Sequence, residues 1–345
     1  ATITEGDIAT LTTLLDANSN NAFKITVTDT TADAVDLVAI DSITSVQVDA
    51  ANVETISGTV ENLNAYRVAF TAKTISGLSL YAAEPSDASA TAAELLDLAD
   101  PSTGFNPDVN LASIQTINGS ATQIQELYAL QSVDASVSGL GNEAIVLSDS
   151  GAVAATVLTA ISDLTTGDIT SVSVTSITGT AEQVQASLDS INLGSLDAVV
   201  VTISDALGVA VDATTLSTIG GATSGVVTVT NAIAISGTAD QVTAALLTED
   251  TLVVVSNATV SISDAGSIAA IVLTDIAGVT SGAVTSASVT TITGAASEVK
   301  AALDSAQLTS LDAVNVTISD ADLEDIFATT LSTIGGATSG VVTVT

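Results

Sequence analysis

Short runs in which apolar and polar residues alternate recur along the whole chain, and each run closes on a glycine or an aspartate. In the run ending at Gly237, Val227, Val229, Ile233 and Ile235 share one parity, the period-two signature of a strand with one buried face. The run ending at Gly179 carries Val172, Val174 and Ile177 with a slip of phase, which predicts a β-bulge. The closing residues are Gly6, Asp29, Gly58, Asp87, Gly119, Asp149, Gly179, Asp205, Gly237, Asp264, Gly294 and Asp320, in strict alternation. Ten of the eleven spacings lie between 26 and 32 residues, and a fixed period of this size predicts stacked repeats.

A helical pattern follows each mark. After glycine comes Ser/Thr-x-x-Gln, as in Ser120 with Gln123, Thr180 with Gln183 and Thr238 with Gln241. This is the capping box, in which hydroxyl and amide satisfy each other's backbone N–H groups. Apolar residues then fall at helical spacing, as in Ala181, Val184 and Leu188. After aspartate comes Leu-x-x-Ile, at Leu37/Ile40, Leu158/Ile161, Leu216/Ile219, Leu273/Ile276 and Leu331/Ile334. That segment closes on a glycine turn such as Thr223-Ser224-Gly225. One strand and one helix per repeat of about 29 residues predict an α/β solenoid: one continuous parallel sheet, reached by right-handed crossovers and covered by helices.

The repeats are most regular over residues 131–345. Segments 169–230 and 284–345 align without a gap at an offset of 115, with 44 of 62 positions identical. Residues 1–130 keep the marks but lose the close similarity, and they hold all three prolines and six of the seven aromatics. That region reads as a terminal cap or as an interaction region with Tyr66, Arg67, Phe70 and Tyr81 as anchors. At the other end, Val341–Thr345 stops where its counterpart at 226–230 runs on to Gly237. Two expectations follow for the strand carrying Val342 and Val344: the sequence is a piece of a longer array, or the strand is a template for another chain, such as the segment around Ile3 of a second copy.

Composition narrows the setting. Thirty-nine acidic residues against four basic ones leave a net charge of −35, which repels nucleic acid and anionic lipid and favours salt-rich surroundings. Hydrophobic residues make up 47%, yet no run approaches the roughly 20 apolar residues of a membrane span. There is no His or Cys, so the commonest general base and the thiolate nucleophile are missing, and no enzymatic activity is expected. The best-defined polar positions are Asp149, Asp205, Asp264 and Asp320. They read first as helix N-caps, with calcium ligation as the alternative, helped by Ser150, Asp322 or Asp325. No cofactor other than calcium is suggested.

Thr202-Ile-Ser-Asp-Ala206, Ala234-Ile-Ser-Gly-Thr-Ala-Asp-Gln-Val242 and Leu216-Ser-Thr-Ile-Gly-Gly-Ala-Thr-Ser-Gly225 resemble the Ala/Thr/Val/Asp-rich repeats of very large secreted proteins of marine cyanobacteria and related bacteria. Similar repeats occur in tail-associated proteins of viruses that infect such hosts. The resemblance covers most of residues 109–345 and the early Asp29 and Gly58 repeats. It implies an extracellular structural role, and with the open strand at Val342 and Val344 the leading expectation is a surface layer or filament that self-associates head to tail. The second expectation is an adhesin or viral-fibre-like module that binds carbohydrate, such as a cell-surface polysaccharide, or a surface partner.

Overall fold

A computed structural model describes residues 6–14, 21–77, 82–103, 107–133, 136–194, 196–320 and 327–345. These residues form twelve α-helices, three 3-10 turns and 26 short strands, and every strand pair among them is parallel. The chain divides into two compact units, one of residues 1–149 with 160–173 and 191–194, the other of 150–159, 174–190 and 195–345.

In the first unit, one sheet joins Thr31–Asp33, Thr55–Gly58, Ala82–Pro85, Asp108–Asn110 and Val137–Ser138. A second joins Ser89–Thr91, Thr116–Gly119, Ala144–Leu147, Ile169–Thr170 and Leu193–Gly194, and Val48–Asp49 pairs with Ile75–Ser76. In the second unit, one sheet runs from Gly151–Ala154 through Val174–Gly179, Val200–Ile203 and Val227–Val229 to Val253–Val254. Another runs from Ala210–Asp212 through Ala234–Gly237, Thr259–Ile262 and Val284–Thr285 to Leu308–Thr309. The last joins Gly266–Ala269, Val289–Gly294, Asn315–Ile318 and Val342–Val344.

Two expectations are corrected here. A repeat holds two or three short strands rather than one: the run 227–237 breaks into Val227–Val229 and Ala234–Gly237, which lie in different sheets. The parallel sheet is also not continuous. From Val153 the register passes to Ile177, Val201, Val227 and Val253, 100 residues in four steps, whereas the four mark intervals from Asp149 to Asp264 span 115. Pairing therefore slips against the sequence period, and each sheet runs out after about five strands. The extra residues form the strand that follows each Asp mark from Asp29 to Asp264, and that strand starts the next sheet. The phase slip before Gly179 is a bulge, as expected: Gly151 pairs with Val174 and Ala152 with Ser176.

Alternation places Ile177, Val201, Val227 and Val253 inward, all buried, with Thr178, Thr202, Thr228 and Val254 outward. The helices close the core with Leu37 and Ile40, Leu158 and Ile161, Leu216 and Ile219, and Leu273 and Ile276, all fully buried. Each such side chain contributes roughly 1.5–3 kcal/mol by burial. The expected capping boxes are present in the helices Ala181–Leu188 and Ala239–Leu246. Thr180→Ala is expected to cost about 1 kcal/mol. Urea denaturation checks this, with Thr214→Ala as the reference, because Thr214 is an exposed helical position.

Candidate assembly interface

The marks carry the contacts between successive repeats. The helices that follow Asp marks start at Ala34, Ala92, Ala155, Ala213 and Ala270, all fully buried. The next Gly mark sits against each of these alanines. A Cβ placed on Gly119, Gly179 or Gly237 would stand 2.8, 3.1 or 3.0 Å from the Cβ of Ala92, Ala155 or Ala213. Any side chain there would force the repeats apart.

The helices that follow Gly marks are met by the next aspartate. Asp29, Asp87, Asp149, Asp205 and Asp264 accept the backbone N–H of Ile8, Val60, Ala121, Ala181 and Ala239 at 2.6–2.7 Å. Asp320 accepts that of Ala296 at 3.1 Å. Each recipient is the first residue of its helix, whose N–H has no partner within the helix. A carboxylate there also complements the positive end of the helix dipole. The Gly mark's carbonyl completes the joint by accepting the N–H of the residue just before the aspartate, as in Ser204 to Gly179 at 2.8 Å and Ser263 to Gly237 at 2.9 Å. The aspartates thus cap the helix of the preceding repeat, not the segment that follows them.

A third contact was read in the sequence only as a turn. Thr165, Thr223, Thr280 and Thr338 are buried, and their hydroxyls donate to the carbonyls of Glu143, Val199, Ala258 and Val314 at 2.5–2.7 Å. The same hydroxyls accept the N–H of Gly167, Gly225, Gly282 and Gly340 at 3.0–3.1 Å. Those glycines lie so close that a Cβ would fall within 3.0 Å of the same carbonyl oxygens. The recurrence of Thr-x-Gly was the available signal.

The four aspartates suggested for calcium each give a carboxylate oxygen to a helix N-terminus, as above. Among the described residues, no three Asp or Glu side chains are gathered so as to hold a metal ion. Asp322 and Asp325 lie outside the described residues.

Of the aromatic-region anchors, Tyr66 is fully buried and presents no surface to a partner. Burial, and then the charge of Asp41, push its hydroxyl well above the usual phenol range. Arg67 is half-buried and donates from Nε to Asn64 at 3.1 Å, and Phe70 is half-buried. Tyr81 and Ile3 lie outside the described residues.

At the C-terminal side, Val342–Val344 pairs with Asn315–Ile318 through Val316 N–H to Val341 O at 2.8 Å and Thr345 N–H to Ile318 O at 2.9 Å. Alternate residues of a parallel strand bond to opposite sides, so Val342 and Val344 direct their N–H and C=O groups to the free edge. Val342 is half-buried and Val344 is 52% exposed. The structure brings Val342 and Val344 to one sheet edge.

No helix among the described residues is long and apolar enough to cross a membrane. No family model, curated protein or solved structure matches the chain.

Proposed function

We propose that the chain is an extracellular structural repeat protein, an α/β solenoid that builds a surface layer or filament by end-to-end stacking. One observation carries this reading: the same contacts recur along the repeats, with Gly marks on alanine and Asp marks on helix N-termini in alternation, and Thr-x-Gly turns on the preceding carbonyl at Thr165, Thr223, Thr280 and Thr338. Joints made of local geometry and repeated in one direction suit an array that is extended by adding repeats.

Charge supports the setting. A surface of net charge −35, in which Lys300 pairs with Asp304, repels itself at low salt. Raising NaCl from about 0.01 to about 1 M shortens the screening length from about 30 to about 3 Å. The expected result is a higher Tm and stronger self-association in salt, read by calorimetry and light scattering. Cations associate diffusely with such a surface. Electron microscopy of the purified chain in about 1 M NaCl, where the screening length is about 3 Å, tests the function directly. Filaments or sheets support it, and particles of single-chain size at every concentration overturn it.

A further inference from the structure

The last carbonyls of a helix have no partner within it and need donors from elsewhere. At the end of the helix Ala155–Ser162 one side chain meets that need. The Asn192 amide nitrogen donates to the carbonyls of Ser162, Thr165 and Gly167 at 3.2, 2.9 and 3.4 Å. The Asn192 amide oxygen accepts the Ser162 hydroxyl. Asn192 is thus a plug, with its nitrogen on three carbonyls and its oxygen on one hydroxyl.

The same frame recurs 115 residues later without the plug. Thr280 donates to the carbonyl of Ala258 and accepts the N–H of Gly282, as Thr165 does with Glu143 and Gly167. The Val284 N–H donates to the Gln307 carbonyl at 2.8 Å, as the Ile169 N–H does to that of Asn192 at 2.7 Å. The carbonyls of Ala277, Thr280 and Gly282 therefore stand where those of Ser162, Thr165 and Gly167 stand in the plugged repeat. Among the described residues, no N–H or hydroxyl is bonded to any of the three. Gln307 takes the place of Asn192, but it is exposed and its amide oxygen accepts the Ser305 hydroxyl at 3.3 Å. Ala277, Gly278, Thr280, Ser305 and Gln307 line an open cleft at this point.

We infer that this cleft binds a primary ammonium group, the head of a small amine. Asn192 shows that three carbonyls in this frame converge on a single nitrogen. The differences from the plugged repeat select a cation over an amide. Ala277 stands in place of Ser162, so the hydroxyl that held the amide oxygen is gone and the cradle keeps only its acceptors. A primary ammonium has three N–H donors and no acceptor, one donor for each carbonyl. The negative end of the helix Ala270–Gly278 and a net charge of −35 both favour a positive ligand. Three neutral oxygens are too few for calcium, which takes about six to eight.

Methylammonium chloride is the probe, added in about 1 M NaCl, where a screening length of about 3 Å suppresses diffuse association with the acidic surface. Isotope labelling of glycine alone leaves 23 backbone signals to follow by magnetic resonance. Gly278→Ala identifies the Gly278 signal by its loss, and it leaves the fold intact because nothing lies within 4 Å of the added Cβ. The expected result is a saturable shift of the Gly278 signal with methylammonium. No such shift is expected with tetramethylammonium or potassium, which have no N–H to give.

Ala277→Ser combined with Gln307→Asn rebuilds the plug, with the pair of residues that the chain already accommodates at Ser162 and Asn192. With native circular dichroism, this variant is expected to bind methylammonium roughly tenfold or more weakly, a change of about 1.4 kcal/mol. An unshifted Gly278 in the wild type, or equal shifts with tetramethylammonium or potassium, would overturn the inference whatever the variant does. A natively folded plugged variant that responds as the wild type does would also overturn it.

Discussion

Gly225→Ala is expected to be among the most damaging single methyl additions at the described residues. The added Cβ would point at the carbonyl oxygen of Val199, closer than 3.0 Å, and backbone rather than a flexible side chain lies in its way. That carbonyl cannot retreat freely, because it holds the hydroxyl of Thr223 at 2.7 Å, which in turn holds the N–H of Gly225 at 3.0 Å. Relief of the clash therefore breaks two buried hydrogen bonds as well as the fit between repeats. Overpacking of this kind costs about 3 kcal/mol. Thr223→Val, which keeps the shape and removes only the hydroxyl, is expected to cost about 1–2 kcal/mol, from the donor and acceptor left unpaired. Guanidinium denaturation measures both, with Gly278→Ala as reference. A Gly225→Ala midpoint equal to that of Gly278→Ala would mean that the turn does not seat on Val199 as described. Repeat arrays unfold in sections, so hydrogen exchange is the better probe of where the loss falls, and it should centre on 199–203 and 223–229.

Asp205→Ala is expected to cost about 2 kcal/mol, the value of a hydrogen bond to a charged group together with the donor it leaves unsatisfied. Asp205 is only 7% exposed, and its carboxylate accepts the Ala181 N–H at 2.7 Å. Its own carbonyl accepts the Asn231 side chain at 2.7 Å, so the backbone stays placed when the side chain is cut. Asp205→Asn keeps an acceptor but loses the charge at the positive end of the helix, and about half of the loss is expected. Asp212→Ala is the comparison. Asp212 is an exposed N-cap residue that makes no side-chain cap bond and only accepts the Ser236 hydroxyl at 3.0 Å. Its removal is expected to cost under about 0.5 kcal/mol, as for an ordinary surface substitution. Equal losses at Asp205 and Asp212 would show that the marks are ordinary surface aspartates rather than joints.

Much of this was legible in the amino-acid order, for local reasons. The Thr180–Gln183 and Thr238–Gln241 boxes close within one turn of helix, so three letters suffice to see them. The inward set Leu216, Ile219, Val227 and Val229 follows from helical and strand periodicity alone. The marks announced a repeat, and Asp was expected to cap a helix. The identity of that helix was hidden, because the bond from Asp205 to Ala181 joins residues 24 apart and depends on how many residues one coil takes.

The same hidden number explains the other corrections. The apolar parity resumes in the same phase after Asn231, which hid the break between Val229 and Ala234. Tyr66 looked like a surface anchor beside Arg67, yet it lies buried on the same helix face as Val60 and Leu63. Thr223 and Gly225 read as a turn, because their partner Val199 lies in the preceding repeat.

The order of residues by itself determined the alternation of helix and strand, the caps within each helix, the buried parity and a strongly acidic surface. Each of these depends on neighbours within a few positions or on composition. Tertiary structure alone decided the register between repeats, and with it the break-up into five-stranded sheets and the helix that each aspartate caps. Register depends on residues that meet 24 to 28 positions apart. At that distance the match of many weak contacts selects the pairing, and no short pattern of letters records it.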